Sequence, residues 1–274
     1  MDTVRTKIFE YGEKEMDYLR GVDHLLGAAI DRIGKIDRVI IPDLFPALIY
    51  AIIGQQISLK AARTIWARLQ ERFIEITPEH IAVIPLEDIQ QCGMQSKKAG
   101  CIKGIAEVIA KGELDLNSLY DMSDEEVIKS LSSLSGIGVW TAEMLLLNSM
   151  ERPNIISYGD IAIRRGIMYL YGLTELTKDQ FAGYKERYSP YGSVASIYLW
   201  RLSYEHTVVD KDQDKDQDKD QDKDQDKDQG KDQDKDQDKD QDKDQDQDQD
   251  KGQDKGQDKN KEKNRDKINL KNNQ

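Results

Sequence analysis

The residues best suited to chemistry are the turn Gly136-Ile137-Gly138 and Asp160, which lies 18 residues after Ala142. Two glycines remove side chains where the backbone turns and where a ligand approaches it. Amides at the start of a helix beginning near Val139 would point outward, and the helix dipole favours an anion there. The turn therefore predicts a site for an anion such as a phosphate group. Taken alone, the same pattern is also typical of an ordinary turn between helices.

Asp160 is the candidate catalytic group. A carboxylate beside a reacting centre can stabilise developing positive charge and can orient or deprotonate an attacking water. The alternative, for Asp160 considered alone, is an N-cap aspartate without chemistry.

The elements that position these residues are predicted to be helices, because helical periodicity and capping signals recur along residues 1–209 while strand-like alternation is nearly absent. Ser123 and Glu126 match a capping box that opens the first helix of the hairpin. The sequence thus predicts an all-α fold, with helices over Met16–Ile33 (ended by Gly34), Lys97–Lys111, Val139–Met150 and Ile161–Tyr171 (ended by Gly172).

Residues 210–274 are an almost pure repeat of Lys-Asp-Gln-Asp, with only Ile268 and Leu270 as large aliphatic residues. Such a segment buries too little apolar surface to offset the entropy of ordering, so the composition predicts a disordered tail. The tail carries 17 Lys and Arg against 24 Asp and Glu, a net charge of −7, and residues 1–209 carry the remaining −5 of the total −12.

Binding of a phosphate-rich ligand by an acidic protein requires a local basic patch, because charge neutralisation usually dominates affinity for such ligands. The candidates are Lys60 with Arg63, then Lys97 with Lys98 and Lys103, and Arg164 with Arg165.

Cysteine and histidine usage argues against several classes of site. Two cysteines, Cys92 and Cys101, are too few for a four-thiolate metal or iron–sulfur site, and three scattered histidines add no ligand pattern. The N-terminal residues show no secretory signal and no apolar run reaches membrane-spanning length. We expect an intracellular protein without a membrane partner, cytoplasmic and nucleoid-associated in a prokaryote or nuclear in a eukaryote.

The hairpin sequence Leu134–Ala142, followed by Asp160-Ile161-Ala162-Ile163-Arg164-Arg165, resembles the helix-hairpin-helix (HhH-GPD) superfamily of DNA glycosylases. The resemblance implies a two-lobed, all-α fold over residues 1–209, with lobes at about 44–158 and at 1–43 plus 159–209. It also implies a monomer that binds double-stranded DNA containing a damaged base, with Asp160 as the catalytic residue.

Trp140 stands where bifunctional members of the superfamily carry a lysine, and a tryptophan cannot form a Schiff base. The same residue resembles the alkylpurine branch, typified by 3-methyladenine DNA glycosylase II. The resemblance implies a base pocket of Trp140, Met144, Tyr191 and Gln55, in which Tyr191 takes the position of a pocket tryptophan and Met144 replaces a tyrosine.

The resemblance also implies the residues that hold DNA, with Gln56 filling the gap left by an extruded base. No cofactor and no iron–sulfur cluster is expected, but three main-chain carbonyls of the hairpin can hold Na⁺ or K⁺. The implied DNA-binding residues are Gly136, Ile137, Gly138, Thr141, Gln56, Lys97 and Lys98, and the carbonyls are those of Ser132, Leu134 and Ile137.

These features together predict a monofunctional glycosylase that removes alkylated purines, such as 3-methyladenine and 7-methylguanine, in base excision repair. Two alternatives remain: a non-catalytic helix-hairpin-helix DNA-binding module, and a glycosylase for oxidised or deaminated bases. Asp160 speaks against the first alternative. Trp140 in place of lysine and the missing cysteine set argue against the second.

Overall fold

A computed structural model of the protein describes residues 4–207. The predicted disordered tail, residues 210–274, lies outside the described residues. The described part of the chain is mostly helical, which confirms the predicted fold class. None of the helices in this part is both long and apolar enough to cross a membrane.

The N-terminal segment contains a short ladder that the sequence did not indicate. Strands β1 (Lys7–Ile8) and β2 (Val39–Ile40) pair antiparallel, with Lys7 opposite Ile40. Just outside the ladder, the Phe9 amide donates to the carbonyl of Arg38 at 2.8 Å. Two-residue strands are too short to show alternation, but this pair fixes the backbone at Arg38.

The predicted single helix over Met16–Ile33 is wrong. The chain instead forms α1 (Glu13–Val22) and α2 (His24–Ile33), which meet at Asp23 in extended conformation. The Asp23 carboxylate accepts hydrogen bonds from two amides of the first turn of α2, at 3.1 and 2.9 Å. Apolar spacing continues through both helices, so periodicity alone cannot reveal a break that a buried cap produces.

The middle of the chain is a group of helices around the buried helix α3 (Leu44–Gly54). This helix contacts α4 (Leu59–Arg72), α7 (Ser96–Ala110) and α9 (Val139–Asn148). Glycines and caps end and begin these helices as the sequence predicts, including the Ser123–Glu126 capping box. The remaining elements are α5 (Pro78–Val83), α6 (Leu86–Gln90), α7 (Ser96–Ala110), a 3-10 helix (Asn117–Asp121), α8 (Asp124–Ser132) and α9 (Val139–Asn148).

The C-terminal helices are α10 (Ile161–Tyr171), α11 (Lys178–Tyr188) and α12 (residues 192–207). Helix α10 contacts α2, and α11 contacts α1. A Cβ atom at Gly166 would lie 2.2 Å from the Leu199 carbonyl oxygen, so only glycine allows α10 and α12 to approach so closely. The N-terminal helices α1 and α2 therefore pack against the C-terminal helices α11 and α10. The exact lobe boundaries stay a prediction.

Candidate active site

Asp160 is buried at the N-terminus of α10, where its carboxylate has two distinct sets of partners. One oxygen, Oδ1, accepts hydrogen bonds from the amides of Ala162 and Ile163 at 2.9 and 3.0 Å. The other, Oδ2, accepts the indole N–H of Trp140 at 3.0 Å. Asp160 is thus an N-cap, as the alternative interpretation holds, and also a carboxylate fixed by a second element.

Trp140 lies in the first turn of α9 and contacts the loop that precedes α10. A Cβ atom at Gly159 would lie 3.1 Å from the Trp140 Cβ, so the loop passes close to the tryptophan. The indole N–H donates its hydrogen bond to Asp160, and Trp140 therefore orients the carboxylate. Whether its ring also contacts a base stays a prediction.

Glu143 is a second carboxylate of this region, and the sequence reasoning missed it. It accepts a hydrogen bond from the hydroxyl of Ser157, whose carbonyl accepts the Asp160 amide at 3.3 Å. Burial raises the pKa of Glu143, although the Ser157 hydrogen bond opposes this shift. A signal was available, because a residue three positions after Trp140 lies on the same helix face.

A connected series of side chains leads from α9 to α12. The amide nitrogen of Asn148 donates to the carbonyl of the buried Met144 at 3.2 Å. The Asn148 oxygen accepts two hydrogen bonds from Arg38, through Nε at 3.3 Å and Nη2 at 3.0 Å. The Arg38 guanidinium lies over the ring of Trp200, 4.5 Å from its centre. Neither Arg38 nor Trp200 was predicted as a site residue.

The hairpin between α8 and α9 uses its two glycines differently. Gly136 has a φ of +85°, and a Cβ atom there would lie 2.5 Å from the Cys101 sulfur. Gly138 has a φ of −102°, and a Cβ atom there would have no neighbour within 4 Å. Ile137 between them is buried and anchors the turn. Gly136 therefore shapes the turn, whereas Gly138 leaves open space before the first amides of α9.

Gln55 connects the end of α3 to the hairpin. Its side-chain amide donates to the carbonyl of Gly136 at 3.1 Å and to the hydroxyl of the buried Thr141 at 2.9 Å. The next residue, Gln56, is exposed and has a φ of +55°, which is uncommon for a residue with a side chain. The structure thus brings Gln55, Gly136 and Thr141 together and presents Gln56 to solvent.

The basic residues of α7 separate into two kinds. Lys98 donates to the carbonyls of Ile53 and Gln55 at 2.9 and 2.5 Å, and burial lowers its pKa. Lys103 donates in the same way to the carbonyls of Ala82 and Ile84, both at 2.7 Å. These two ammonium groups hold the ends of α3 and α5, whereas Lys97 is exposed.

A sequence profile of the HhH-GPD superfamily, described as base excision DNA repair proteins, matches residues 49–187. This range is just over half of the chain and includes the hairpin, Trp140 and Asp160. The chain belongs to the HhH-GPD superfamily.

Relatives of this HhH-GPD protein include DNA-3-methyladenine glycosylase 1 of Schizosaccharomyces pombe, 34% identical over 166 residues, which are 58% of this chain and 72% of the relative. The DNA-3-methyladenine glycosylase of Bacillus subtilis is 34% identical over 177 residues, 60% of this chain and 58% of the relative. A solved structure of the S. pombe 3-methyladenine DNA glycosylase with abasic DNA aligns with a TM-score of 0.63 and 30% identity, over 69% of this chain and 95% of that chain. The chain thus spans less than two thirds of the B. subtilis relative.

The predicted pocket residue Tyr191 of this HhH-GPD protein has an aromatic contact with Tyr18 of α1, with ring centres 5.2 Å apart. Tyr191 is half-buried at the start of α12, nine residues before Trp200. The aromatic ring joined to α9 through Arg38 and Asn148 is Trp200. A sequence signal was available, because Trp200 lies in the apolar segment Val194–Leu202 near the end of the folded part.

The cation expected at the HhH-GPD hairpin involves the carbonyls of Ser132, Leu134 and Ile137. The Leu134 carbonyl accepts the Ile137 amide at 3.2 Å, which leaves its second lone pair. The Ser132 hydroxyl oxygen is buried without a hydrogen-bond partner. Uncharged carbonyl oxygens, together with the unpaired Ser132 hydroxyl oxygen, are suitable ligands for a monovalent cation. Among residues 4–207, no group of three or more His, Cys, Asp or Glu side chains is arranged to hold a metal ion.

Proposed function

We propose that this protein is a monofunctional DNA glycosylase that hydrolyses the N-glycosidic bond of alkylated purines in base excision repair. The observation that carries the proposal is the Asp160 carboxylate, buried and oriented by Trp140 at the start of α10, in a chain similar to 3-methyladenine glycosylases. The alkylated purines are the substrate class that the names of these relatives support.

The reaction follows from the carboxylate. As the bond from the sugar C1′ to the purine nitrogen breaks, its electron pair leaves with the base and positive charge develops on the sugar. Asp160 stabilises this charge and orients a water molecule. The water oxygen bonds to C1′, and the surplus proton passes to Asp160 or to solvent.

The protein supplies no amine at the position that a lyase requires. Trp140 occupies the lysine position, and its indole nitrogen donates to Asp160. An indole does not form a Schiff base with a sugar aldehyde. We therefore expect hydrolysis that leaves an intact abasic strand.

The DNA-binding surface of this proposal combines the hairpin with α4. Gly138 leaves space for a phosphate, and the first amides of α9 donate hydrogen bonds to it. Lys60, Arg63 and Arg68 of α4 line a groove together with the exposed Tyr204 of α12. This groove supplies local positive charge to a protein whose net charge is negative.

We also propose that Na⁺ or K⁺ binds at the hairpin, where carbonyl oxygens and the orphaned Ser132 hydroxyl fit it. The ion would supply positive charge beside the DNA phosphate. We further propose that the whole protein acts as a monomer on double-stranded DNA.

The test is release of free bases from methylated duplex DNA by the wild type and by Asp160→Asn. Asparagine retains the N-cap, so the variant is expected to fold and to bind DNA. Excision should fall by at least about 10²-fold, the smaller effect typical of general acid–base groups.

Full activity of the Asn variant would refute the mechanism. Absence of base release by a folded wild type that binds DNA would favour the non-catalytic DNA-binding module. Strand cleavage with a borohydride-trapped adduct would contradict the monofunctional assignment.

A further inference from the structure

We propose that Arg38 sets the balance between neutral and cationic purines, by stabilising the negative charge that develops on a neutral base as it leaves. The inference rests on the proposed glycosylase function and deepens it, since it assigns a specificity-determining residue that the sequence did not indicate.

The position of Arg38 is fixed from two sides. Its carbonyl accepts the Phe9 amide beside the β1–β2 ladder, and its Nε and Nη2 donate to the Asn148 side chain on α9. Asn148 lies eight residues after Trp140, about two helical turns along α9. The guanidinium is therefore held by the same helix that orients Asp160.

The guanidinium covers one face of Trp200, with its central carbon 4.5 Å from the ring centre. Arginine stacks on aromatic rings because its guanidinium is planar and weakly hydrated. Asn148, which accepts the hydrogen bonds of this guanidinium, also donates to the carbonyl of Met144, a predicted residue of the base pocket. We therefore infer that the departing base lies beside the guanidinium.

The charge of Arg38 is not paired with a carboxylate in the part of the chain that the structure describes. Within residues 4–207, no carboxylate oxygen forms an ion pair with Arg38 at 4.0 Å or less. Burial lowers the pKa of the guanidinium, while the charges of Tyr50 and Asp160 act in the opposite direction. Burying a cation without a carboxylate partner is costly, which is more typical of functional sites than of structural ones.

The two classes of base differ in the charge that they acquire on departure. A purine alkylated at N7 is already cationic, and the electron pair of the broken bond neutralises it. A neutral purine such as hypoxanthine takes the same pair and becomes an anion until it receives a proton from water. A fixed guanidinium stabilises the second leaving group and repels the first in its bound state.

The experiment compares single-turnover excision of hypoxanthine and of 7-methylguanine from otherwise identical duplexes. In Arg38→Gln, hypoxanthine excision should fall at least about 10-fold more than 7-methylguanine excision, because only the former uses the positive charge. Arg38→Lys keeps a charge, so it should preserve the ratio of the two rates better than Gln. Arg5→Gln is the matched control, since Arg5 pairs with Asp43 on the surface.

An equal loss on both bases in Arg38→Gln would show a merely structural role and overturn the inference. If Arg38→Gln does not fold, the decision falls to Arg38→Lys, and loss of the wild-type ratio in that folded variant would also overturn it. A wild type that releases 7-methylguanine but not hypoxanthine refutes this inference alone. A wild type that releases neither base refutes the proposed function.

Discussion

At the scale of single residues, Trp140 shows that the polar edge of an aromatic side chain can orient a candidate catalytic carboxylate. An aromatic residue near a base-excision site is expected to stack on a base. In the structure its polar edge also has a partner, because the indole N–H donates to Asp160 Oδ2 while Oδ1 caps α10. The two oxygens of the carboxylate are thereby distinguished, and one rotamer is selected.

Trp140→Phe should keep an aromatic ring but remove this hydrogen bond. A hydrogen bond to a charged group contributes roughly 1.5–3 kcal/mol, so kcat should fall about 10-fold or more. KM should change little, since the lost interaction is with Asp160 and not with DNA. Steady-state kinetics on methylated DNA checks the prediction.

Trp66→Phe is the control, because Trp66 lies on α4 in an edge contact with Tyr50. A rise of KM in Trp140→Phe at unchanged kcat would instead assign Trp140 to substrate binding.

At the scale of elements, the hairpin joins a constrained turn to an open helix N-terminus. Gly136 is required by its positive φ and by the Cys101 side chain packed beneath it. Gly138 has neither constraint within the protein. Only a ligand approaching the first turn of α9 would require a glycine at this position.

The two glycines should therefore respond differently to replacement by alanine. Gly136→Ala should lower the free energy of unfolding by about 1–3 kcal/mol, because φ > 0 and the crowded Cβ both introduce strain. Gly138→Ala should leave the melting temperature unchanged but weaken binding to damaged and undamaged DNA alike, since a phosphate contact carries no base information.

Thermal denaturation and binding titrations on both kinds of duplex measure these effects. Binding by Gly138→Ala that matches the wild type would remove this glycine from the DNA surface. A loss confined to damaged DNA would place it at the base pocket instead.

At the scale of the whole molecule, a buried carboxylate links the first helices to the last. Asp23 caps α2 and also accepts hydrogen bonds from Tyr171 and Arg187, which are 148 and 164 positions away in sequence. Burial acts to raise its pKa, but the Leu26 amide, Tyr171 and Arg187 together hold that pKa below the ordinary value. Distant parts of the chain thus depend on one ionised group.

Asp23→Asn should retain the cap of α2 and lose the charged contacts, which lowers stability by about 2 kcal/mol at neutral pH. A lowered carboxyl pKa means that the unfolded chain binds the proton more readily. The wild type therefore loses this stability as pH falls below the ordinary value of 3.8 through the lower folded-state pKa. The difference in the free energy of unfolding between wild type and Asp23→Asn should therefore shrink as pH falls over that range.

Urea denaturation at several pH values gives this difference directly. Arg187→Gln is the comparison variant. It should lose less stability than Asp23→Asn, because the Arg187 side chain is 46% exposed. If the free energy of unfolding of Asp23→Asn stays below that of the wild type by the same amount at every pH, the charge of Asp23 does not stabilise the packing.

The sequence by itself determined the local features of this protein. The capping box at Ser123, the helix ends at Gly34 and Gly172, and the Asp160 cap follow from backbone chemistry within a few residues. The hairpin and the spacing to Asp160 were enough to indicate the superfamily, because a turn and a cap are encoded by adjacent residues. The mostly helical fold followed from periodicity for the same reason.

Tertiary structure alone decided which distant side chains meet. Arg38 and Trp200 are 162 positions apart, and no local pattern pairs them. The contacts of Asp23 with Tyr171 and Arg187 likewise join residues that no window of sequence includes. Lys98, expected on a basic patch, donates to backbone carbonyls of α3 and the following loop. Contacts of this kind arise from helix packing, whereas caps and turns arise from neighbouring backbone groups, and only the latter can be read along the chain.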